Sequence, residues 1–556
     1  MQQDVSIKNK ITVHHFLLAA MLLSSVLLIT TDPYYGHDIG FHLSRIQSIA
    51  DCLNNHTFPA VIYPNYFNGH GYANGLFYPD LFLYIPGVMV YMGINIKRAY
   101  QIFLFLINLV TWLSMYFCID KIIDDRYTSS LISCIYTLSS YRITDLYERS
   151  ALGETLCFIF LPLIFLGIYE TLYRDPHKGY YMTFGLFGVL SSHIITLLFC
   201  VILVFLSFFL WAFRSFQEKK DILERCEYLV LWCGISVFLS AYFLFPFLEA
   251  YFSDVYMFKT NPAIGGFDRA MPFRFSLIEI PFYKNVYFPM GIDVAFVVLL
   301  LLMVIWHRKG MKIDSFSKDV LLLGAIFLIM STDLFPWALF KNSAQLIQFP
   351  WRFLIIATNA FLFGFAPMLK EYLNSSEKNK TRYTLLMIFC IGFSVLCSAA
   401  ELYIFRDFKL YHDAVQYSVG GDEYMPSDVD VSLLNDQNNI ISNHDIEIDA
   451  YRSGTSFTIR YKGNTFKDTY LEFPLIYYKG YQAKENNKKL NVAKGNNSLV
   501  RIELNDSQGT VELFYGMTVA RIIGYIISAV FLIVLILLIR KTTYKTGLDG
   551  SLIWQK

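Results

Sequence analysis

Charged residues are scarce in this sequence. Asp, Glu, Lys and Arg make up 16% of its 556 residues, whereas apolar residues make up 55% and the mean hydropathy is +0.41. A chain so poor in charge is typical of an integral membrane protein rather than a soluble multidomain protein. Its 46 basic and 45 acidic residues nearly cancel, and the net charge of +1 provides no overall field that would attract nucleic acid or a strongly acidic partner.

Cysteine is also sparse, and its distribution argues against a disulfide framework. Eight of the nine cysteines lie inside or at the ends of apolar runs, and only Cys52 falls in a segment predicted to lie outside the membrane. No Cys/His spacing of a structural zinc site is present. The first apolar run is followed by "TTDPYYGHD" instead of a small-residue cleavage site, so it is predicted to remain as a first membrane helix.

Apolar runs suited to crossing about 30 Å of hydrocarbon recur along the whole chain. They predict a polytopic all-α membrane protein with about 12 transmembrane helices. The predicted spans are residues 11–30, 99–119, 127–141, 155–173, 179–192, 193–213, 227–247, 289–306, 318–331, 353–369, 383–402 and 518–540.

Positive charge in the short connections predicts the orientation of these spans. The connections predicted to be cytoplasmic contain, among others, Lys8, Lys121, Arg174, Lys220, Arg308, Lys380 and Arg540. Every second connection is basic, which places both termini in the cytoplasm of a multi-pass plasma-membrane protein. This alternation requires that the apolar stretch 78–95 does not cross, but lies as a re-entrant or interfacial helix in the outer leaflet.

Five loops and one domain are then predicted to face outward: 31–98, 142–154, about 192–193, 248–288, 332–352 and 403–517. The latter half of the last region alternates apolar and polar residues, as in "TSFTIRYKG" and "DTYLEFPLIYY". A period of two predicts a small extracytoplasmic β-sandwich. The chain is thus divided into a transmembrane domain (1–402), a β-rich domain (403–517) and a final helix with a cytoplasmic tail (518–556).

The first outer loop has the strongest pattern of polar residues. A helix from about Ile39 would carry one apolar stripe, a bordering sector with Asp38, His42 and Arg45, and a water-facing sector that includes Ser44. A carboxylate at the membrane surface beside cationic groups suits the transfer of a sugar from a lipid phosphate. The alternative is an ordinary surface helix with Asp38 as its N-terminal cap.

Three later outer segments add candidate residues. "YRITDLYERSALGE" concentrates Glu148, Arg149 and Glu154, either as a structural ion-pair cluster or as a substrate-facing set. His193 lies at a break between apolar runs, where an interhelical histidine is the simpler interpretation. Gln348 and Arg352 are four residues apart just before a predicted span, a position from which Arg can bind phosphate or only extend to the interface.

The ordered set of motifs "GHDIGFHLSRI", "GYANGLFYP", "YERSALGE", "SSH", "LIQFPWRF", "EYMPSD" and "PLIYYKGY" resembles the YfhO-like, pyruvoyl-tetrahydropterin-synthase-related membrane proteins of the GT-C glycosyltransferase superfamily. Each motif is short, and their order covers nearly the whole chain. The resemblance implies a GT-C-like fold and an inverting glycosyltransferase that uses a polyprenyl-phosphate-linked sugar donor. The acceptor would be a cell-envelope polysaccharide, teichoic acid or lipid.

The resemblance also implies roles for individual residues. Asp38 takes the position of the general base. An active-site location is implied for His37, His42, Arg45, Glu148, Arg149, Glu154, His193, Gln348 and Arg352. A divalent metal is used by many such enzymes; the metal is left unassigned here, and His37, Asp38 and His42 are the candidate cluster. The resemblance further implies membrane lipid as a partner and a partner enzyme that makes the donor.

Two other classes of function remain open at this point. A lipid-linked saccharide flippase or transporter would normally place ionisable residues near the bilayer midplane, whereas the charged residues here concentrate at the ends of the apolar runs. A non-catalytic scaffold for envelope assembly would use the β-rich domain to bind its partner.

Overall fold

A computed structural model gives the fold of the chain. It describes residues 2–216, 222–260, 269–273, 291–308, 310–340, 346–400, 409–417, 422–435, 439–463 and 469–553. Most of the predicted outer loop 248–288 lies outside the described residues. The described part is mainly α-helical, with a β-sheet region near the C-terminus.

The helices follow the apolar runs of the sequence. The principal ones are Gln2–Ser25, Ile39–Asn54, Tyr84–Tyr91, Ile96–Ile123, Arg126–Thr137, Leu152–Tyr173, Tyr180–Leu190, Ile194–Ser215, Ile222–Leu239, Ala241–Ser253, Asp293–Arg308, Ser315–Met330, Leu354–Asn374, Glu377–Ala400 and Val519–Ile553. Short turns include Asn74–Phe77, Ser140–Ile143, Met257–Thr260 and Pro350–Phe353, and Thr144–Glu148 forms one π-helical turn.

Five helices in the described part of the chain are long and apolar enough to cross a membrane: Ile96–Ile123, Leu152–Tyr173, Ile194–Ser215, Pro350–Asn374 and Val519–Thr542. A sixth span is formed if Ile222–Leu239 and Ala241–Ser253, which meet at 70°, are counted together. The other predicted spans also coincide with helices, but several are short. Arg126–Thr137, for example, has 12 residues, which corresponds to a length of about 18 Å.

The first outer region folds around the Ile39–Asn54 helix, which begins where the sequence pattern predicts. Its apolar stripe is buried, as expected, but the predicted water-facing sector is wrong at Ser44. That side chain is buried, and its hydroxyl lies 2.6 Å from Tyr66 OH in a hydrogen bond. The helix within the 78–95 stretch, Tyr84–Tyr91, has only eight residues and packs with Gly87 against Ile49. At about 12 Å it is too short to cross.

The described residues of the β-sheet region form nine strands: β1 (Ile441–Ser442), β2 (Ile446–Ser453), β3 (Ser456–Gly463), β4 (Tyr470–Ile476), β5 (Tyr481–Glu485), β6 (Lys488–Leu490), β7 (Val492–Lys494), β8 (Leu499–Glu503) and β9 (Gln508–Tyr515). They form antiparallel sheets of order β1-β4-β8-β7 and β2-β3-β9-β5-β6. Alternate residues of both sheets, among them Ile459, Phe473, Val500 and Leu513, share one hydrophobic core.

The β-sheet region packs on the first outer region. Ile476 N donates to His70 O at 2.9 Å, and Arg452 donates to the carbonyl of Gly69. The segment that precedes the strands also contacts the helical part of the protein, because Met257 N donates a hydrogen bond to Met425 O at 2.9 Å. These contacts bring residues near position 424 close to the first outer loop.

Helix packing in the bundle gives a first test. A Cβ added at Gly167, between the Leu152–Tyr173 and Tyr180–Leu190 helices, would lie 2.2 Å from Met182 N and 2.6 Å from Met182 Cα. Because backbone cannot move as a flexible side chain can, Gly167→Ala is expected to destabilise the protein by about 1–3 kcal/mol. The measurement is the melting temperature of the purified full-length protein in detergent.

Gly234→Ala is the matched control, because the same added atom meets nothing within 4 Å there. Alanine also favours helix more than glycine does, so this variant should melt at the same temperature as the wild type or slightly higher. Equal melting temperatures for the two variants would contradict the close helix approach at Gly167.

Candidate functional site

An open cavity of about 400 Å³ lies where four separate segments of the chain meet. It is lined by residues of the first outer region, of the break before the Ile194–Ser215 helix, of the turn before the Leu354–Asn374 helix, and of the segment that precedes the β-strands. The lining residues are Asp38, Phe41, His42, Phe77, Tyr78, Pro79, His193, Ile194, Ile195, Gln348, Phe349, Arg352, Glu423 and Tyr424. Five of the predicted site residues are therefore brought together.

Asp38 occupies the N-cap position of the Ile39–Asn54 helix, but its side chain makes no capping hydrogen bond. Among the described residues no Lys or Arg forms an ion pair with it. Its backbone is fixed because Asp38 N donates to Arg149 O at 2.9 Å. Its side chain is exposed in the open cavity, although protein surrounds the carboxyl on several sides and displaces part of its water. This desolvation raises its pKa, and the charges of Arg149 and Arg352 oppose the rise.

Behind the cavity, Glu154 forms ion pairs with two arginines and accepts a hydrogen bond from the first of them, Arg149. Its Oε2 lies 2.8 Å from Arg149 Nη1 and 3.3 Å from Arg352 Nε, and Tyr141 OH donates to its other oxygen. Arg149 also pairs with Asp145 four residues before it. Arg149 and Glu154 are buried and do not line the cavity. Their predicted ion-pair cluster is present, and they act on the cavity through Arg352 and through their charge.

Arg352 links this ion-pair network to the cavity. Its Nη1 donates to Gln348 Oε1 at 2.8 Å, and the guanidinium lies 5.0 Å from the centre of the Phe349 ring. Nη2 makes no hydrogen bond within the described part of the chain. Gln348 has a left-handed backbone, with φ of 62°. Such a conformation is unfavourable for a side-chain-bearing residue and is found preferentially at functional sites.

His193 caps the helix that follows it. Its Nδ1 accepts from Thr196 N at 3.4 Å and lies 2.8 Å from Thr196 Oγ1. Burial and the charge of Arg352 lower the pKa of His193 to about 3, so the ring is neutral. A neutral ring whose Nδ1 accepts from an amide carries its proton on Nε2. His193 therefore provides the cavity with an N–H donor and no charge.

His42 is engaged by the protein on both sides of its ring. Leu152 N lies 3.2 Å from Nε2, and Arg45 Nη1 lies 3.3 Å from Nδ1. Both ring nitrogens thus face protein donors, and the candidate metal cluster of His37, Asp38 and His42 stays a prediction. The described residues contain no group of three or more His, Cys, Asp or Glu side chains placed to hold a metal.

Arg45 is held away from the cavity. It is completely buried, pairs with Asp80, and donates to Pro79 O at 2.8 Å. Its guanidinium carbon lies 4.0 Å from the centre of the Tyr78 ring. The sequence pattern placed Arg45 beside Asp38 in the sector that borders the apolar stripe; in the structure Arg45 instead pairs with Asp80 inside the protein. Arg45 supports Tyr78, which does line the cavity.

Two further predicted residues lie beside the cavity. The backbone of His37 donates to Glu148 O at 3.0 Å, so the first and second outer loops are joined directly. Glu148 is buried, whereas the side chain of His37 is exposed outside the cavity lining.

Sequence reasoning missed Tyr78, Asp80, Glu423 and Tyr424 as site residues. Glu423 and Tyr424 belong to "EYMPSD", a motif that was part of the resemblance but had no role assigned. No periodic pattern surrounds them, and their approach to Asp38 depends on long-range packing.

No family model matches the chain. A protein of Lactococcus lactis subsp. cremoris (strain MG1363), described as an uncharacterized protein, is 22% identical over 341 residues, which are 57% of this chain and 54% of that protein. The matching region thus spans about half the length of the relative.

The bridging carboxylate provides a test of the network. Glu154→Gln would leave the buried guanidinium groups of Arg149 and Arg352 without their shared counter-charge, and breaking a buried pair typically costs about 3–5 kcal/mol. Thermal unfolding of the purified protein should reveal this loss. The control is Glu503→Gln, because Glu503 is 71% exposed and 3.9 Å from Arg501, a surface pair worth about 0–1 kcal/mol. Similar losses for both variants would contradict a bridging role.

Proposed function

We propose that the protein is an inverting glycosyltransferase that moves a sugar from a polyprenyl-phosphate donor to a cell-envelope acceptor on the extracytoplasmic face of the membrane. The observation that carries this proposal is that one open cavity contains both Asp38, a carboxylate with no ion pair among the described residues, and Arg352, whose Nη2 makes no hydrogen bond to them. Transfer from a lipid phosphate requires these two groups, a base for the acceptor and a cation for the departing phosphate.

In the proposed reaction Asp38 takes the proton of an acceptor hydroxyl, and the hydroxyl oxygen attacks the anomeric carbon of the sugar. The bond between that carbon and the phosphate oxygen breaks, and its electron pair leaves with the polyprenyl phosphate. Arg352 Nη2 stabilises the negative charge that collects there. The raised pKa of Asp38 makes it a stronger base than an ordinary carboxylate.

The surroundings of the cavity support a lipid-linked donor. Ile194, Ile195 and Phe349 line it at the ends of two helices of spanning length. A phosphate at the membrane surface would lie beside Arg352 while its prenyl chain remains in the apolar phase. The His193 Nε2–H and the Gln348 amide supply further donors to phosphate or sugar oxygens.

The buried charges next to the cavity hold the Arg352 side chain in position for the reaction. Glu154 neutralises part of the charge of Arg149 and Arg352 and holds the latter in place. Arg149 does not line the cavity and contributes to this reaction only through its electric field. No metal is assigned to this reaction, and a partner enzyme that makes the donor remains part of the proposal.

The catalytic role of Asp38 can be tested by transfer of radiolabelled sugar from polyprenyl phosphate in membranes that contain the protein. Asp38→Asn keeps the shape of the side chain and removes its basicity, so the rate should fall by about 10²–10⁴-fold. Asp449→Asn, on an exposed position of β2, should transfer at the wild-type rate at matched expression.

Equal transfer by Asp38→Asn and wild type would remove Asp38 from the mechanism. Transfer by neither protein across several donor sugars would favour the alternatives, a lipid-linked saccharide flippase or a non-catalytic envelope-assembly scaffold. Lipid movement without transfer, measured in reconstituted vesicles, would identify the flippase.

The proposed orientation places both termini in the cytoplasm of a plasma-membrane protein and the β-sheet region outside. Asn487→Cys lies at an exposed turn between β5 and β6, and Lys312→Cys is exposed between Asp293–Arg308 and Ser315–Met330. A membrane-impermeant maleimide should label the first variant on intact cells and the second only after permeabilisation. The parent protein, with its native cysteines, gives the background, and the reverse pattern would invert the topology.

A further inference from the structure

The cavity contains a second carboxylate, Glu423, on a part of the chain distant from the first. Glu423 and its neighbour Tyr424 both line the cavity. In the described part of the chain no Lys or Arg forms an ion pair with Glu423. Burial raises the pKa of Glu423, and the negative charges of Asp422 and Asp38 add to the rise. The Glu423 carboxylate is therefore near Asp38, and no Lys or Arg of the described segments neutralises it.

The backbone on both sides of this carboxylate is fixed. Phe258 N donates to Glu423 O at 2.9 Å, and Tyr424 N donates to Tyr72 OH at 3.0 Å. The Tyr424 ring is stacked on Phe77, with ring centres 5.1 Å apart and planes at 15°. Glu423 thus has a defined position on the cavity wall, although it belongs to an irregular segment.

A second rigid aromatic ring borders the same cavity. Tyr78 is stacked over the buried Arg45 guanidinium at 4.0 Å. The Cβ of any larger residue at position 153 would lie 2.5 Å from Tyr78 OH, so Gly153 permits this placement. The cavity therefore combines one cationic group, Arg352, with two carboxylates and two supported aromatic rings.

We propose that Glu423, with the rings of Tyr424 and Tyr78, forms a subsite that binds the hydroxyl groups of an uncharged sugar and rejects sugars that carry a carboxylate. The inference rests on the proposed function, because it assigns part of the same cavity to the sugar that is transferred or receives transfer. A carboxylate accepts two hydroxyl hydrogen bonds at once. Aromatic rings offer apolar faces to the C–H side of a pyranose ring. A uronic acid would bring a further negative charge beside Asp38 and Glu423 and be repelled.

The test measures binding, so that it does not depend on transfer. Full-length protein in lipid nanodiscs is titrated with methyl β-D-glucopyranoside, methyl β-D-galactopyranoside and methyl β-D-glucuronide, and binding is followed by saturation-transfer difference NMR. Nanodiscs are needed because maltoside detergents themselves carry glucose units. The wild type should bind at least one neutral glycoside about 10-fold or more tightly than the glucuronide.

Glu423→Gln should weaken binding of the neutral glycoside about 10-fold, the effect expected from loss of a hydrogen bond to a charged group, and should reduce its preference over the glucuronide. Asp422→Asn is the matched control, because Asp422 is adjacent but does not line the cavity. It should keep the wild-type preference. Glu423→Asp, which keeps the charge on a shorter side chain, should bind more weakly and retain the preference.

An unchanged preference in Glu423→Gln would overturn the inference, as would a wild-type protein that binds none of the three glycosides. If Glu423→Gln does not fold, the same conclusion follows from Glu423→Asp binding as tightly as wild type. Failure of the proposed function has a different signature, since sugar binding would persist while radiolabel transfer is absent.

Discussion

The candidate site depends on the interaction of one buried carboxylate, Glu154, with two arginines. Glu154 begins a helix of spanning length, Arg149 belongs to the second outer loop, and Arg352 precedes another such helix, so their contacts of 2.8 Å and 3.3 Å tie three segments together. The same loop fixes Asp38, because Arg149 O accepts from Asp38 N at 2.9 Å. A change in the Glu154 network would move both the proposed base and the proposed phosphate ligand.

Because the chain contains few charged residues, those that lack an ion-pair partner help to locate a functional site. A buried charge is costly unless it is paired and hydrogen-bonded, and most buried charges here follow this rule. Arg45 pairs with Asp80, and Arg149 pairs with Asp145 and Glu154. Asp38, whose side chain is exposed, and the half-buried Glu423 differ from these because both line the open cavity and neither forms an ion pair among the described residues. Unpaired carboxylates in a cavity favour a ligand-binding role over a structural one.

The sequence predicted the helices well because apolar runs and period-two alternation are local signals. It placed the start of the Ile39–Asn54 helix and the C-terminal β-sheet region. It also selected Asp38, His193, Gln348 and Arg352, which the structure brings to one cavity. It could not assign Arg45, whose partner Asp80 lies 35 residues away and carries no pattern. Glu423 was missed for the same reason, since packing alone brings its irregular segment to Asp38.

Different contacts hold the carboxylates of Asp38 and Glu423 in place. One of them can therefore be altered without the other. Asp38 is fixed by a backbone bond to Arg149 and by the buried ion pairs of that residue, whereas Glu423 is fixed by a backbone bond to Phe258 N and by the stacking of Tyr424 on Phe77. A substitution in the segment that precedes the β-strands can therefore alter the wall near Glu423 without disturbing Asp38, Glu154 or Arg352. If Asp38 and Arg352 perform the chemistry, sugar preference can change through the outer segment while the reaction itself is conserved.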